Sequence, residues 1–553
     1  MGRESERGWL WLALALGASA GIAALAAVVF RPLVIQDDAR QFVFWMAEWR
    51  DETLFRGDLV ADYWRSVSPW LYVVIFRAAD FVGIDPITTV RILPVILFPA
   101  SAYFSFRFCR AISDEPRLAC MATLFLLSWL IVEDGVVSST PRAFAPLFLL
   151  VFLDGLARRS IVEITAGLFC LAGIYPHVAL VAATVLCIIF IDFSGRPKLA
   201  LTKANFVLLA AGAVAVIAGI APFLFESSQF GPIVTPESAR EFVTFGPDGR
   251  TSLFGRDGRI DFACGMRTIG IFDGCDGLSS PVFWLWTAGV SLAPALLFLR
   301  TLKTGGRSGS PIPLAVVLAA FAWFAIAIIL AFRLHIPSRF VVRTVPMVSW
   351  LCLGLVIGTF FRHWPKPGTR GERFATFAGT GILLALFAGL ALPRTLAHFR
   401  IWQHPALAEA VASYPPGTLF AGFVEDTDFI PLLAERRVLF SVELAVAYHL
   451  GYYRQIDARM RDMVEAELTP DPAVLAGKLE QNAVDIYLVN KNRLAEPSID
   501  KKFAQQLGDF VPEQIARLGG APTALSRLVP ACSRGTFDGV EVLDAHCLIA
   551  AAR

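Results

Sequence analysis

Net charge is nearly missing from this chain: 49 Lys and Arg stand against 47 Asp and Glu, a formal +2, which gives no electrostatic footprint for a nucleic-acid partner. Short catalytic motifs are missing as well. Without a Walker-type phosphate loop or a dinucleotide glycine fingerprint, an ATP-driven pump or a nucleotide-sugar enzyme gains no support. There is no Ser/His/Asp signature, no His-x-x-x-His zinc spacing and no CxxC. Internal repeats and low-complexity segments are absent too. The apolar run at 9–30 lacks a small-residue cleavage site, so it is expected to stay as a helix and not to leave as a signal peptide.

What is present is apolar sequence. Of the 553 residues 56% are hydrophobic, and long apolar runs recur from residue 8 to about 393, the pattern of a polytopic membrane protein. Hydropathy and flanking charge place about eleven transmembrane helices at 9–30, 87–106, 118–133, 143–157, 161–175, 178–192, 205–225, 282–299, 312–332, 341–361 and 374–393. With Met1 on the cytoplasmic side, every short inner loop is basic. These loops carry Arg107, Arg110 and Arg117, then Arg158 and Arg159, then Arg196, Lys198 and Lys203, then Arg300, Lys303 and Arg307, then Arg362, Lys366, Arg370 and Arg373. Positive charge inside fixes the orientation.

The organisation expected is a transmembrane domain at 1–393, with a first outer loop at 31–86 and a large outer loop at 226–281, followed by a soluble extracytoplasmic α/β domain at 394–553. In the first loop Phe42, Trp45, Met46 and Trp49 fall at i, i+3, i+4 and i+7, an apolar stripe with aromatic membrane anchors, while Arg40, Gln41 and Glu48 lie largely off it. A second segment, 69–84, carries Arg77 and Asp80 near its middle and is expected to lie flat at the membrane interface. The first outer loop therefore reads as two juxtamembrane helices. In the C-terminal domain 418–423, 438–441 and 485–489 read as buried strands, with helices at 428–435 and 453–468, a βαβ rhythm. Cys264 with Cys275 is a candidate disulfide in an oxidising compartment, with free or metal-binding thiols as the alternatives, and Cys532 with Cys547 is a second candidate.

This topology puts scattered polar residues on one side of the membrane. Asp37 and Asp38 follow the first span, and the outer ends of other helices carry Arg40, Glu133, Asp134, Arg142, Tyr175, His177, Arg333, His335, Arg339 and Arg343. Ionisable groups at such ends are costly unless they pair or bind something. A carboxylate pair can deprotonate a hydroxyl or hold a divalent cation, and arginine forks match phosphate oxygens. Arg339 and Arg343, at i and i+4, are expected to share a helix face. Tyr175-Pro176-His177 marks a tight outer turn, and Thr140-Pro141 reads as the cap and first turn of the fourth span. An acid pair and an Arg/His cluster at the membrane surface suit a substrate with its phosphate among the headgroups and its tail in the bilayer, as in polyprenyl-phosphate sugars.

The order of these features resembles the GT-C superfamily of membrane glycosyltransferases: a first span, an outer loop opening on Asp37-Asp38, many further spans, a charged outer connection late in the bundle and an outer C-terminal domain. The resemblance covers the whole chain in architecture and few residues in motif. Ser68-Pro69-Trp70 stands where lipid A aminoarabinose transferases have Lys-Pro-Pro, and the Trp-Trp-Asp of oligosaccharyltransferases is absent. It implies a general base or metal ligand at Asp37 or Asp38 and phosphate binding by some of Arg142, Arg339 and Arg343. The implied activity is inverting transfer of a sugar from a polyprenyl-phosphate donor to an acceptor hydroxyl at the outer face of a bacterial inner membrane. A divalent cation is the one cofactor such a site would take. The acceptor stays open between glycan, lipid and protein. The remaining alternatives are a transporter or flippase for an anionic lipid or solute, and a non-catalytic membrane scaffold.

Overall fold

The structure, a computed structural model, describes residues 3–113, 115–192, 198–200, 202–225, 229–260, 292–299, 310–330, 333–334, 336–360, 393 and 396–553. Cys264, Cys275, His335, most of the expected span 374–393 and the first half of 282–299 lie outside the described residues. Contacts divide the chain into two compact units. A helical unit takes in Met1–Pro32, Pro69–Ser227 and Met266–Arg400; a sheet unit takes in Leu33–Ser68, Ser228–Gly265 and Ile401–Arg553.

Among the described residues of the helical unit five helices are long and apolar enough to cross a membrane: Glu6–Ala26, Pro86–Ile112, Lys203–Phe223, Ile312–Ile329 and Pro337–Thr359. Expected spans at 118–133, 143–157, 161–175 and 178–192 are present as shorter helices, Pro116–Val132, Ala145–Arg158, Ile161–Ile174 and Pro176–Ile189. At 1.5 Å per residue these reach about 21–25 Å, so five helices among the described residues have the length of a span. The Glu6–Ala26 segment belongs to a helix that packs closely along Pro86–Ile112 because its contact face is small. A Cβ at Gly17 would come within 2.8 Å of the Pro99 Cα, and one at Gly21 within 2.6 Å of the Val95 Cα. Small residues at such crossings let backbones approach where lipid offers no hydrophobic drive. Ser105 and Thr123 join the next pair of helices by a hydroxyl hydrogen bond of 3.0 Å. The segment expected at the interface forms the helix Trp70–Phe81, which buries Tyr72 and Phe76 in this unit and leaves Val74 and Phe81 exposed.

In the sheet unit five strands run in the order Arg437–Val438, Leu419–Ala421, Ile486–Asn490, Val540–Asp544, Ser533–Phe537. The first three are parallel, and the last two add an antiparallel edge. Leu419, Phe420 and Ala421 are all buried, as a strand covered on both faces requires. The expected helix at 453–468 is present as Leu450–Leu468. The one expected at 428–435 is a 3-10 turn, Glu425–Asp428, followed by a π-type turn, Ile430–Ala434. The edge hairpin turns on Asp538-Gly539, both with positive φ, the two-residue turn whose twist matches that of its strands. Cys532 and Cys547, the second candidate pair, are bonded.

The first outer loop departs from expectation. Its polar start forms a short helix, Ala39–Phe42, and a 3-10 helix, Phe44–Trp49; a further helix, Leu59–Val67, follows, capped by Asp58 through Val60 N and Ala61 N. The stripe of Trp45 and Met46 is buried within the sheet unit and so is not a lipid anchor. Phe42 meets Trp64 edge-on at 5.1 Å, and the Arg65 guanidinium lies 5.8 Å from the Trp45 ring. Arg40 and Gln41, expected off the stripe, are buried as well. The reason is that this unit supplies both of them with carboxylate partners.

Candidate functional site

Those carboxylates come from two adjacent parallel strands. Asp428 lies seven residues past Ala421, and Glu443 five past Val438; both follow carboxyl ends of strands, the end at which open α/β sheets bind ligands. Segment 33–68 adds Asp37, Asp38 and Arg40. One ligand oxygen each from Asp37, Asp38 and Glu443 lies within 4.8 Å of the others, and all three side chains are half-buried. Sequence reading found the Asp pair and missed Glu443. Nothing near Glu443 signals a role, because its partner sits some 400 residues away and only the sheet topology joins them.

Arg40 is the centre of the charge pattern. Its Nη2 pairs with Asp37 Oδ1 and lies 3.6 Å from Glu443 Oε2, its Nη1 lies 3.8 Å from Asp428 Oδ2, and its Nε donates to the Asp37 carbonyl at 3.0 Å. The guanidinium also lies over Phe429, 4.8 Å from the ring centre, and Phe429 stacks on Trp402. Asp426 Oδ1 accepts from Trp402 Nε1 at 2.7 Å and lies 2.8 Å from His404 Nδ1. Burial alone would lower the Arg40 pKa, but Glu443, Asp428 and Asp37 outweigh it and hold that value above the usual one. Glu443 answers to Arg250, 3.1 Å away, and accepts from Gln41. Burial, helped by Asp428 and Asp38, keeps the Glu443 carboxyl above the ordinary range against the pull of Arg250 and Arg40. Four carboxylates against two guanidiniums leave an excess of two negative charges. An all-oxygen donor set with that excess fits one hard divalent cation, held by Asp37, Asp38 and Glu443. It equally fits a base for a hydroxyl proton.

Arg142, Arg339 and Arg343 of the helical unit fall into two groups. Helix Pro116–Val132 ends at Glu133, whose carboxylate accepts from Gly135 N at 3.0 Å and pairs with Arg343. Asp134 takes Arg142 at 2.6 Å and lies 3.9 Å from Arg343. Two acids thus match two arginines. Thr140 and Pro141 do start a helical turn, but the Thr140 hydroxyl meets Ser138 Oγ at 2.8 Å instead of capping it. In the second group Arg339 donates to the Tyr175 hydroxyl at 3.0 Å, and the His177 ring sits 5.5 Å from Tyr175 and 5.4 Å from Phe340. Arg339 and Arg343 do not share an α-helical face. Pro337–Phe340 is 3-10 and a turn follows before Val345, so four positions no longer bring side chains to one side. Asp37, Asp38 and Arg40 belong to the sheet unit, and Asp134, Arg142, Tyr175, His177, Arg339 and Arg343 to the helical unit.

The protein is a helical chain with membrane-length helices and a mixed-sheet unit that carries an acid cluster. Among solved structures it is similar to the oligosaccharyltransferase of Archaeoglobus fulgidus tethered to an acceptor peptide, at 12% identity and a TM-score of 0.48, over 92% of this chain and 72% of that one. The archaeal enzyme in complex with an inhibitory peptide and a dolichol-phosphate gives 12% and 0.45 over 91% and 72%. Its complex with Zn and sulfate gives 11% and 0.41 over 87% and 68%. No family model matches the chain, and no curated protein does.

Proposed function

We propose that this protein is a membrane glycosyltransferase that moves a sugar from a polyprenyl-phosphate donor to an acceptor hydroxyl on the outer face of a bacterial inner membrane. The observation that carries the reading is the gathering of Asp37, Asp38 and Glu443 beside a buried, aromatic-backed arginine. Asp37 or Asp38 takes the hydroxyl proton; the acceptor oxygen bonds to the anomeric carbon as the bond to the donor phosphate breaks, with inversion. A divalent cation, if bound, would be held by Asp37, Asp38 and Glu443 and would supply charge neutralisation there. Arg339, bonded to Tyr175 beside His177, is assigned to the departing phosphate. Arg142 and Arg343 are assigned to holding that region, since each already meets a carboxylate.

The test is transfer of labelled sugar in membranes holding Asp37→Asn, Asp38→Asn or Glu443→Gln protein at wild-type abundance. Loss of a general base lowers turnover by about a hundredfold or more; full transfer by both Asp variants sinks the mechanism. One observation favours a second reading. Asp37 and Glu443 both contact Arg40, as they would in a scaffold whose acids only neutralise a buried cation. Under that reading the Asp variants change stability and leave no transfer to lose.

A further inference from the structure

Another cluster of the helical unit lies where loops expected inside meet. A cavity of about 350 Å³ is framed by the first turns of the helix Arg3–Ala26, the last turns of Pro86–Ile112 and the end of Ala145–Arg158. Arg7, Arg107, Arg110 and Arg158 line it, against the carboxylate of Glu6. We propose that this cavity binds the phosphate of an anionic lipid headgroup, independently of any transferase reaction.

Headgroup-seeking arginines need no cavity and no buried acid, because each can extend alone to its own lipid. Here Asp154, with no solvent exposure, sits behind the cavity and gathers two of them. Its Oδ1 takes Arg158 Nε at 2.7 Å and its Oδ2 takes Arg107 Nε at 2.9 Å. Glu163 holds Arg107 Nη2 at 2.7 Å, and Arg158 Nη2 donates to the Arg107 carbonyl at 3.1 Å. Two guanidinium forks are thereby fixed before a ligand arrives, which lowers the ordering cost of binding. Four arginines against Glu6, Asp154 and Glu163 leave one positive charge, the complement of a phosphodiester. The volume is that of a small-ligand site, toward the lower end of a range of about 300–1,000 Å³. Tyr103 and Phe106 give it aromatic walls, and two of its helices continue as apolar spans. A lipid suits this setting, with its tails along the helices and its phosphate at their basic ends.

The experiment is thermal unfolding of the purified full chain in neutral detergent, with phosphatidylglycerol, phosphatidylcholine or inorganic phosphate added at matched ionic strength. Phosphatidylglycerol is expected to raise the unfolding temperature by several degrees, and phosphatidylcholine to leave it unchanged. The double variant Arg7→Gln/Arg110→Gln, altered at the rim, is expected to lose that rise. Glu6→Gln, which removes the carboxylate that competes for Arg110, is expected to enlarge it, and it tests the site even if the double variant fails to fold. An equal rise with phosphatidylcholine, a rise kept in the double variant, or no gain in Glu6→Gln overturns the proposal. A rise of the same size with inorganic phosphate overturns the lipid source and keeps the phosphate chemistry.

Discussion

Arg40 shows how one residue organises a site and constrains its mutation. It is buried, and its guanidinium faces Asp37, Asp428 and Glu443, so Arg40→Gln leaves acids facing one another without their cation. Breaking such a buried pair costs about 3–5 kcal/mol, to be read as a lowered unfolding temperature of the full chain. Asp38→Asn, which removes a negative charge near Glu443, is expected to cost far less, and this separates stability from turnover. Glu467 carries a second residue-scale prediction. It is buried and accepts from the Tyr487 hydroxyl at 2.6 Å, and burial raises its carboxyl from an ordinary 4.5 to about 7, against that bond and Arg493. A raised carboxyl contributes stability that is complete below the unfolded pKa of 4.5 and gone once pH passes about 7. The change over that window is about 3 kcal/mol. Glu467→Gln keeps an acceptor for Tyr487 and removes the titration, so unfolding followed from about pH 5 to about pH 8 should lose that part of its slope. An unchanged slope would assign the effect to other groups.

At the scale of elements, the turn after Pro116–Val132 brings Gly135 close to the ends of the Glu133 and Arg343 side chains. A Cβ there would overlap the Glu133 carboxylate and come within 2.6 Å of Arg343 Nη1. Gly135→Ala is therefore expected to displace the ends of these two flexible side chains and to destabilise by about 1 kcal/mol or less, read in the same unfolding assay. The bond between Cys532 and Cys547 closes a loop of 15 residues and ties the helices that flank the edge hairpin. Cys547→Ser should cost about 3 kcal/mol. The sequence shows these elements unevenly. Long apolar runs and the βαβ rhythm were readable, because hydropathy over a window reports burial directly. Asp538-Gly539 carries a hairpin signal of its own, a two-residue turn between alternating residues. The stripe Phe42, Trp45, Met46 and Trp49 was read with the right period and the wrong surroundings, since periodicity shows that a face is buried and not what buries it. Glu443 was beyond reach, as only pairing of Leu419–Ala421 with Arg437–Val438 brings its loop to the loop of Asp428.

For the whole molecule the question is orientation, and two observations bear on it. Arg7, Arg107, Arg110 and Arg158, assigned to the N-terminal segment and to different inner loops, line one cavity, as they must if those segments leave the membrane on one side. Glu133, Asp134, Arg142 and Arg343, assigned to outer connections, likewise meet in one ion cluster. Under the proposed topology, positive-inside bias assigns the first set to the cytoplasm, and the Cys532–Cys547 bond lies in an oxidising compartment. We therefore expect alkaline phosphatase fused after Arg553 to be active in intact bacterial cells, and a fluorescent protein at that position to stay dark. Maleimide labelling gives the complementary check: a cysteine replacing exposed Arg7 should react only after the membrane is made permeable, and one replacing exposed Glu425 should react before. An inactive phosphatase at Arg553 would put the acid cluster of the sheet unit in the cytoplasm, where the outer-face reaction has no substrate.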